Sequence, residues 1–295
     1  MISILIPTLN NLNYLKICIN SIKKNSLLNN EIIVHVSEGA DDTINFLNRN
    51  NIKYSFTEYN SGICEGLNKA KKISSKDYVL YAHDDFYFCP EWDSILKKEI
   101  DNIGHNDFYL SGTMMHEGQI KCNYGNNYRN FNEKEFLNNY KKHNYFDFQG
   151  STWAPSVVHT DLWDRVGGLS EEFFPGSGSD PDFNVKLWKA GVRIFKGIND
   201  FKVYHFGSKV LRNYKKKNII KLRKGHGSKS GKIFLLKWGF SIKFFKKYYL
   251  RSNERYDGQL NQPKKSLMYF VDLIKCKLNY IYLILFYKNG KLKQI

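Results

Sequence analysis

Residues 78–92, YVLYAHDDFYFCPEW, contain the feature that decides the fold. The apolar run at residues 78–82 has the length and composition of a buried strand, and His83, Asp84 and Asp85 follow it directly. Ligands of open α/β sheets bind in the crevice beyond the carboxyl ends of the strands. We therefore expect the two carboxylates and the imidazole to lie at the rim of a ligand cleft rather than in the core.

The sequence before this strand alternates between strand-like and helix-like patterns. Strands are predicted at residues 2–6, 31–36 and 52–57, and helices are predicted to begin near Asn10, Asp41 and Ser61. Repeated units of this length imply parallel strands joined by right-handed crossovers. After about residue 107 the pattern becomes mixed, with strands predicted at residues 108–112, 156–159 and 192–195. The predicted fold class is therefore α/β, with a Rossmann-like, open, mixed sheet.

The net charge of +17 is confined to the end of the chain. Residues 1–205 hold 22 basic and 25 acidic side chains, whereas residues 206–295 hold 23 basic and only three acidic ones. This division predicts a near-neutral domain at residues 1–208 and a basic, aromatic-rich, mainly helical extension at residues 209–295.

The cysteines and the N-terminal residues indicate in which cellular compartment the protein is located. Five scattered cysteines without a CxxC pair argue against a disulfide framework or a structural zinc site, and they fit a reducing compartment such as the cytoplasm. No basic residue precedes the short apolar run at residues 2–6. This run therefore predicts a first strand rather than a signal peptide.

Three groups of polar residues are candidates for chemistry. Asp84 and Asp85 are suitable ligands for Mg²⁺ or Mn²⁺, which take carboxylates and substrate phosphates, although aspartates at this place also simply begin turns. In residues 176–191, GSGSDPDFNVKLWKAG, Asp180 or alternatively Asp182 could face the cleft as a general base. The simpler alternatives are that Asp180 only caps its helix and that Asp182 only pairs with Lys186.

A late histidine is the third candidate. His205 lies in the aromatic segment VYHFGS, residues 203–208. A lone histidine in such a strand is more often a hydrogen-bonded core residue, but beside carboxylates it becomes a candidate metal ligand.

Seven segments, in this order along the chain, carry a resemblance to a known family. They are SILIPTLN (3–10), VSEGADDT (36–43), NSGICEGLNKA (60–70), YVLYAHDDFYFCPEW (78–92), VGGLSEEFF (166–174), SDPDFNVKLWKAG (179–191) and VYHFGS (203–208). Together they resemble inverting glycosyltransferases of family 2, which have the GT-A fold of nucleotide-diphospho-sugar transferases.

The resemblance implies an enzyme that moves a sugar from a nucleotide-diphosphate donor, by default a UDP-sugar, to a glycan or lipid-linked acceptor. It implies that Asp180 is the general base, and that Asp85 and His205 bind Mn²⁺ or Mg²⁺ beside the leaving diphosphate. His83 stands where the first acid of the family's Asp-x-Asp motif usually stands. This departure leaves the role of that position open and favours Mn²⁺.

The resemblance also implies donor and acceptor contacts. The implied donor-binding residues are Pro7, Thr8, Asn10, Glu38, Gly62, Asn68 and Asp84. Glu38 replaces the usual aspartate, and Ser179 replaces the glutamate that commonly precedes the base. Trp153 and Trp188, and also Trp163, could stack against an acceptor sugar, although core packing is the more common fate of tryptophan.

The extension has two alternative interpretations. Residues 232–250 mix aromatic and aliphatic side chains with five lysines, a composition typical of an amphipathic helix at an anionic membrane surface. The apolar stretch at residues 278–287 is too short to cross a bilayer. The alternative is a helical subdomain that packs on the catalytic domain.

Two other functions compete with sugar transfer. The basic extension could bind nucleic acid, but it contains no recognisable nucleic-acid module and the first domain is not basic, so no nucleic-acid partner is expected. The chain could also be a catalytically degenerate protein that binds a sugar nucleotide without turnover, because His83 departs from the family motif.

Overall fold

A mixed sheet of nine strands organises the part of the chain that the computed structural model describes, residues 1–207 and 229–286. The strands are β1 (Ile2–Leu9), β2 (Glu31–Ser37), β3 (Lys53–Thr57), β4 (Tyr78–Tyr81), β5 (Phe86–Phe88), β6 (Phe108–His116), β7 (Phe148–Gln149), β8 (Ser156–His159) and β9 (Ile194–His205). Residues 208–228 and 287–295, which include the predicted domain boundary and Tyr287 of the second apolar stretch, lie outside the described residues.

Helices cover the sheet and form the extension. They are α1 (Leu12–Asn25), α2 (Thr43–Arg49), α3 (Gly62–Lys71), α4 (Trp92–Ile103), α5 (Glu133–Asn139), α6 (Thr160–Arg165), α7 (Ser179–Lys189), α8 (Lys229–Trp238), α9 (Ile242–Tyr248) and α10 (Leu267–Phe286). Short 3₁₀ turns lie at Tyr140–Lys142 and Glu171–Phe173.

The strand order explains where a ligand can bind. The order is β3-β2-β1-β4-β8-β6-β9-β5, with β7 also paired to β9. The strands β1, β2, β3 and β4 are parallel, and β8 is antiparallel to β4 and β6. Strands β2 and β3 lie on one side of β1, and β4 lies on the other side. Such a switch point opens a crevice at the carboxyl ends of β1 and β4. The prediction of an open, mixed α/β sheet is confirmed.

The short strand β5 was not predicted, and it matters for the site. It pairs antiparallel with the end of β9, so that Phe86 lies opposite His205, and the Phe206 N–H donates to the Asp85 carbonyl over 3.1 Å. This pairing joins segments more than a hundred residues apart. It brings the residues after β4 against the histidine that ends β9.

The segment at residues 232–250 is not one amphipathic helix. The chain turns at Gly239, whose φ of 73° and N–H bond to Leu235 end α8, and Ser241 then caps α9 by accepting from the Phe244 N–H. Phe234 and Phe245 are fully buried in the main hydrophobic core. The buried apolar side chains of this segment therefore pack against protein, Phe234 and Phe245 in the main core and Leu235 and Phe244 against α10.

The longest helix of the extension is α10, which begins well before the predicted apolar stretch. Its three charged residues, Asp272, Lys275 and Lys277, lie within the helix. Among the described residues, no helix combines the length and apolar character needed to cross a bilayer.

Candidate active site

Two histidines and one aspartate meet beyond the carboxyl end of β4. The potential ligand atoms of His83, Asp85 and His205 all lie within 4.8 Å of one another. We call these three residues the metal corner. His83 and Asp85 follow β4, whereas His205 ends β9, so the corner depends on the pairing of β5 with β9.

The Asp85 carboxylate fits a bound cation. Asp85 is 2% exposed, and neither of its carboxylate oxygens accepts a hydrogen bond. Its Oδ1 lies 3.6 Å from Nε2 of His205. An ionised carboxylate that is buried without hydrogen bonds is costly, and a divalent cation among two imidazoles and a carboxylate would remove that cost.

The two imidazoles are held in orientations that suit metal binding. Nδ1 of His205 lies 2.9 Å from the Glu117 carbonyl, which can only accept, so Nδ1 carries a hydrogen and Nε2 is the ring nitrogen that faces Asp85. Nε2 of His83 lies 2.9 Å from the Tyr81 hydroxyl. Burial lowers the pKa of His83 to about 4, which keeps its ring neutral as a metal ligand requires.

Asp84 connects the metal corner to the first strand. The Thr8 hydroxyl donates to Oδ2 of Asp84 over 2.7 Å, which joins the carboxyl ends of β1 and β4. Burial, and then the adjacent Asp85 charge, raise the pKa of Asp84 to about 7. The site thus concentrates negative charge where the protein itself supplies few compensating donors.

The other predicted donor-binding residues of the first two loops lie beside Thr8. The Asn10 amide donates to Glu38 over 3.0 Å and accepts from the Ala40 N–H over 2.8 Å. Asn10 and Glu38 both have positive φ, at 48° and 64°, and Pro7 lies opposite His35 in the β1–β2 register. The loops after β1 and β2 therefore form one continuous rim.

Gly62 and Asn68 hold α3 against the segment before α7. At Gly62, where φ is 69°, a Cβ atom would lie 2.9 Å from the Phe174 ring. The Asn68 amide exchanges two hydrogen bonds with the Leu169 backbone and also donates to Glu171. These contacts occupy the Asn68 amide, so the structure gives it a positioning role between α3 and the loop at residues 168–171.

Asp180 lies in the first turn of α7 and is not its cap. The N-cap is Gly178 and the helix begins at Ser179, so the capping prediction for Asp180 is wrong by two residues. Gly178 has a φ of 88°, which ends the preceding loop in a left-handed turn that the sequence alone did not locate. The half-buried Asp180 carboxylate is consequently not used as a cap.

The environment of Asp180 gives it the pKa of a base. Burial raises the pKa of Asp180 to about 7, and the Lys246 ammonium of α9 opposes that rise. A carboxylate with a pKa near neutral pH is a more effective proton acceptor than an ordinary surface aspartate.

Tyr81 lies near both Asp180 and the metal corner. Burial, then the Asp180 charge and, more weakly, the Asp85 charge raise the pKa of Tyr81. Because both carboxylates act on this one phenol, and its hydroxyl is 2.9 Å from His83, Asp180 and the corner belong to the same region of the molecule. Sequence patterns gave no signal for this role of Tyr81.

Asp182 is a fully engaged structural residue. It is completely buried, and its carboxylate accepts from Ser170 over 2.6 Å and from the Trp238 indole over 2.8 Å, with Lys237 at 3.0 Å. The expected partner, Lys186, instead donates to the Gly168 carbonyl. Asp182 therefore anchors α8 of the extension to α7, which leaves it poorly placed as an alternative base.

The three candidate tryptophans, Trp153, Trp163 and Trp188, differ in how far their side chains are exposed. Trp163 and Trp188 are buried, and Trp188 packs against Phe195 and beneath the Arg193 guanidinium. Trp153 is half-buried, stacks on Phe148, and has an indole N–H without a hydrogen-bond partner. Of these three rings, Trp153 is the one that is partly exposed.

Lys246 connects the extension with Trp153 and Asp180. Its ammonium lies 5.5 Å from the centre of the Trp153 ring, and it also acts on Asp180. The sequence could not associate Lys246 with the site, because the lysine lies far from both partners in the chain and has no motif around it.

A comparison with known families decides the classification. The model of the family described as glycosyl transferase family 2 matches residues 3–156, which is just over half of the chain. The chain belongs to glycosyltransferase family 2. No curated protein is significantly similar in sequence.

Solved structures of another protein have the same fold as this family 2 chain. The crystal structure of S. aureus TarS 1–349 has a TM-score of 0.53 at 20% identity, and covers 69% of this chain and 60% of TarS 1–349. TarS 1–349 in complex with UDP has a TM-score of 0.51 at 18% identity, with 69% and 59% covered. The complex with UDP-GlcNAc has a TM-score of 0.55 at 18% identity, with 95% and 80% covered.

The family model confirms the predicted family, and the solved structures confirm the GT-A fold. At such identities they concern the fold alone, and the chain spans about 60% of the length of the first of these structures. The roles of individual residues are therefore argued from the geometry described above.

Proposed function

We propose that this family 2 protein is an inverting glycosyltransferase that moves a sugar from a nucleotide-diphosphate donor to an acceptor hydroxyl. The observation that carries the proposal is that Asp180 and Asp85 of the metal corner both act on the Tyr81 phenol, whose hydroxyl lies 2.9 Å from His83. A displacement at a sugar carbon needs two sites in one region, one for the leaving group and one for the nucleophile.

The donor end of the site is assigned to the metal corner. His83, Asp85 and His205 would hold Mn²⁺ or Mg²⁺, and the two imidazoles favour Mn²⁺. A cation bound there would stabilise the charge that develops on the leaving diphosphate. Thr8 and Asp84 tie the corner to the rim of Asn10 and Glu38, where a nucleotide, with uracil as the proposed base, would lie. TarS, which shares the fold, has been crystallised with UDP and with UDP-GlcNAc.

The acceptor end is assigned to Asp180 and Trp153. Asp180 accepts the proton of the attacking hydroxyl as that oxygen forms its bond to the anomeric carbon, and the bond to the diphosphate breaks on the opposite face. This single displacement inverts the configuration. The half-buried ring of Trp153 offers a stacking surface for an acceptor sugar, which we propose belongs to a glycan or to a lipid-linked carrier.

A screen of nucleotide diphosphates by thermal unfolding tests the donor assignment. We expect UDP with Mn²⁺ to raise the melting temperature by a few degrees, because a ligand at about 100 times its Kd stabilises the folded state by about 2.7 kcal/mol. Mg²⁺ in place of Mn²⁺ should give a smaller shift. Equal shifts with every nucleotide, or none with any, would contradict the proposed donor site, and product analysis with UDP-sugars then tests transfer itself.

Lys246 is proposed to position and tune the base. Its positive charge lowers the pKa of Asp180, against the effect of burial. The Lys246→Met variant should therefore have a higher Asp180 pKa, and the acidic limb of its kcat/KM profile should move to higher pH. The Lys246→Arg variant keeps the charge and should largely restore the profile. A lysine that only supports the fold would lower the melting temperature without moving the limb.

The proposed location is the cytoplasmic side of a membrane, with peripheral attachment through the extension. The charge of residues 206–295 supports this proposal, since their 23 basic and three acidic residues suit an anionic surface.

A further inference from the structure

Helix α10 is apolar on two opposite faces. Its inner face packs Tyr269, Cys276 and Leu283 into a cluster with Leu235 of α8 and Phe244 of α9. Its outer face, a separate stripe, consists of Leu267, Phe270, Val271, Ile274, Leu278, Ile281 and Leu285, all of them exposed. These positions recur three and four residues apart, as they must to share one side of a helix.

The exposure of the outer face is exceptional for this molecule. Eleven of the sixteen exposed large apolar side chains among the described residues lie on α10. Leu278 and Leu285 are each 63% exposed. Scattered single apolar residues on a surface need no explanation, but a continuous stripe of this kind marks an interaction site.

Lysines border this stripe on both sides and at both ends. Lys275 and Lys277 are exposed on its two edges, and Lys264 and Lys265 precede the helix. In sequence, Lys288, Lys291 and Lys293 follow it without any acid. Helix α10 has a single acidic residue, Asp272.

Asp272 pairs with one of these lysines, since its Oδ1 lies 3.6 Å from the Lys275 ammonium. It accepts hydrogen bonds from Lys247 over 2.9 Å and from the Tyr248 hydroxyl over 2.8 Å. These bonds lower the pKa of Asp272 to about 2. Its single negative charge is thus shared between Lys247 of α9 and Lys275 of α10. The lysines around the outer face outnumber it, so these surroundings remain basic.

A basic crevice opens along one edge of the outer face. It lies between α9 and α10 and has a volume of about 360 Å³. Its polar lining consists of three lysines, one acid and two neutral residues: Lys243, Lys247, Lys275, Asp272, Ser241 and Asn279. Hydroxyl, amide and ammonium donors in one crevice suit the oxygens of a phosphate group.

We propose that α10 lies in the plane of an anionic lipid surface, with its outer face at the acyl boundary and the phosphates of the lipids at the bordering lysines. A helix of this length is about 30 Å long, and an in-plane helix of this composition buries one apolar face in the headgroup region. A second copy of the chain is a less suitable occupant, because facing copies would bring lysines of like charge together. The inference rests on the proposed membrane partner and is independent of sugar transfer.

Helix α9 connects the proposed lipid surface with the active site. In α9, Lys243 and Lys247 line the crevice, whereas Lys246 lies beside Trp153 and acts on Asp180. Attachment through α10 would therefore hold the acceptor side of the catalytic site close to lipid-linked acceptors.

Vesicle sedimentation with the full chain tests the proposal, without any donor present. We expect the protein to sediment with vesicles of equal parts phosphatidylglycerol and phosphatidylcholine, and only weakly with pure phosphatidylcholine. The double variant Ile274→Ser and Ile281→Ser should lower the partition coefficient at least about tenfold, because it removes apolar area and leaves every charge in place. Serine and isoleucine have similar helix propensities, so the helix itself should persist.

A matched control removes two exposed apolar residues elsewhere. Leu27→Ser with Ile73→Ser changes side chains that are 68% and 40% exposed on the catalytic domain, and it should sediment with vesicles like the wild type. Equal binding by both double variants, or no binding by the wild type, would overturn the proposal. Sedimentation velocity tests the alternative that a second copy of the chain covers this face. If the wild type is a dimer and the α10 double variant is a monomer, the outer face is a contact between copies and the proposal is overturned.

Discussion

Replacing Asp180 by asparagine is expected to lower kcat by about 10²- to 10⁴-fold, the usual contribution of a general base. The amide keeps the shape of the side chain but cannot accept the proton of the acceptor hydroxyl. Donor binding should not change, because Asp180 acts on the acceptor side and the metal corner is intact. Initial rates of transfer, with UDP binding measured separately by calorimetry, give both results.

The pH dependence of the wild type provides a second readout of the same residue. Asp180 must be deprotonated to act as a base, and its pKa is raised to about 7. The rate should therefore fall as the pH drops through about 7. The asparagine variant should have lost this acidic limb, and the persistence of an unchanged limb would show that another group is the base.

Asp182 supplies the matched control on the same helix. The Asp182→Asn variant weakens the buried link to Lys237 and Trp238, so we expect a lower melting temperature. Its kcat per folded molecule should stay within an order of magnitude of the wild type. If Asp182→Asn abolished turnover while Asp180→Asn retained it, the two roles would have to be exchanged.

The parts of the fold that the sequence predicted are those with a local cause. The strands β1, β2 and β8 were expected within a few residues of their observed bounds, because central strands covered on both faces are continuous apolar runs. The carboxylates after β4 were expected at the rim of a cleft, and Asp84 there accepts a hydrogen bond from Thr8 near the end of β1. Parallel strands bring their carboxyl ends to one edge, so this contact follows from the strand pattern alone.

The parts that the sequence did not predict depend on distant contacts. Strand β5 is three residues long and exists through its pairing with β9. The turn at Gly239 divides residues 232–250 because Phe234 and Phe245 are buried in the core of the catalytic domain. An amphipathic pattern records that one side of a helix is apolar, but not whether protein or lipid covers it.

In the candidate site, too, the sequence predicted the residues that stand in local motifs and did not predict the contacts between distant segments. Motif order pointed to Asp85, Asp180 and His205, but not to their partners. The contribution of Lys246 from the extension, and the proximity of Tyr81 to both Asp180 and Asp85, arise from packing between segments that have no shared pattern in the sequence. The sequence also assigned Asp180 to a cap, because Asp before Pro is a strong helix-start signal, whereas the glycine two residues earlier has that place.

Replacing Asp85 by asparagine is expected to abolish Mn²⁺ binding and to lower transfer by about 10²- to 10³-fold, the scale on which loss of charge stabilisation in an active site acts. The carboxylate is the one anionic member of the metal corner, so the variant leaves two neutral imidazoles to hold a divalent ion. Thermal unfolding with and without Mn²⁺, in the absence of any nucleotide, measures this separately from activity.

The metal-free protein distinguishes this role of Asp85 from a structural one. Because neither carboxylate oxygen accepts a hydrogen bond, removing the charge should leave the metal-free melting temperature unchanged or higher, while Mn²⁺ no longer raises it. Asp84→Asn is the control, since asparagine can still accept from Thr8 and the metal corner is retained, so Mn²⁺ should still stabilise that variant. A marked fall in metal-free stability of Asp85→Asn would instead make Asp85 a structural residue, and Mn²⁺ stabilisation equal to the wild type would place the cation elsewhere.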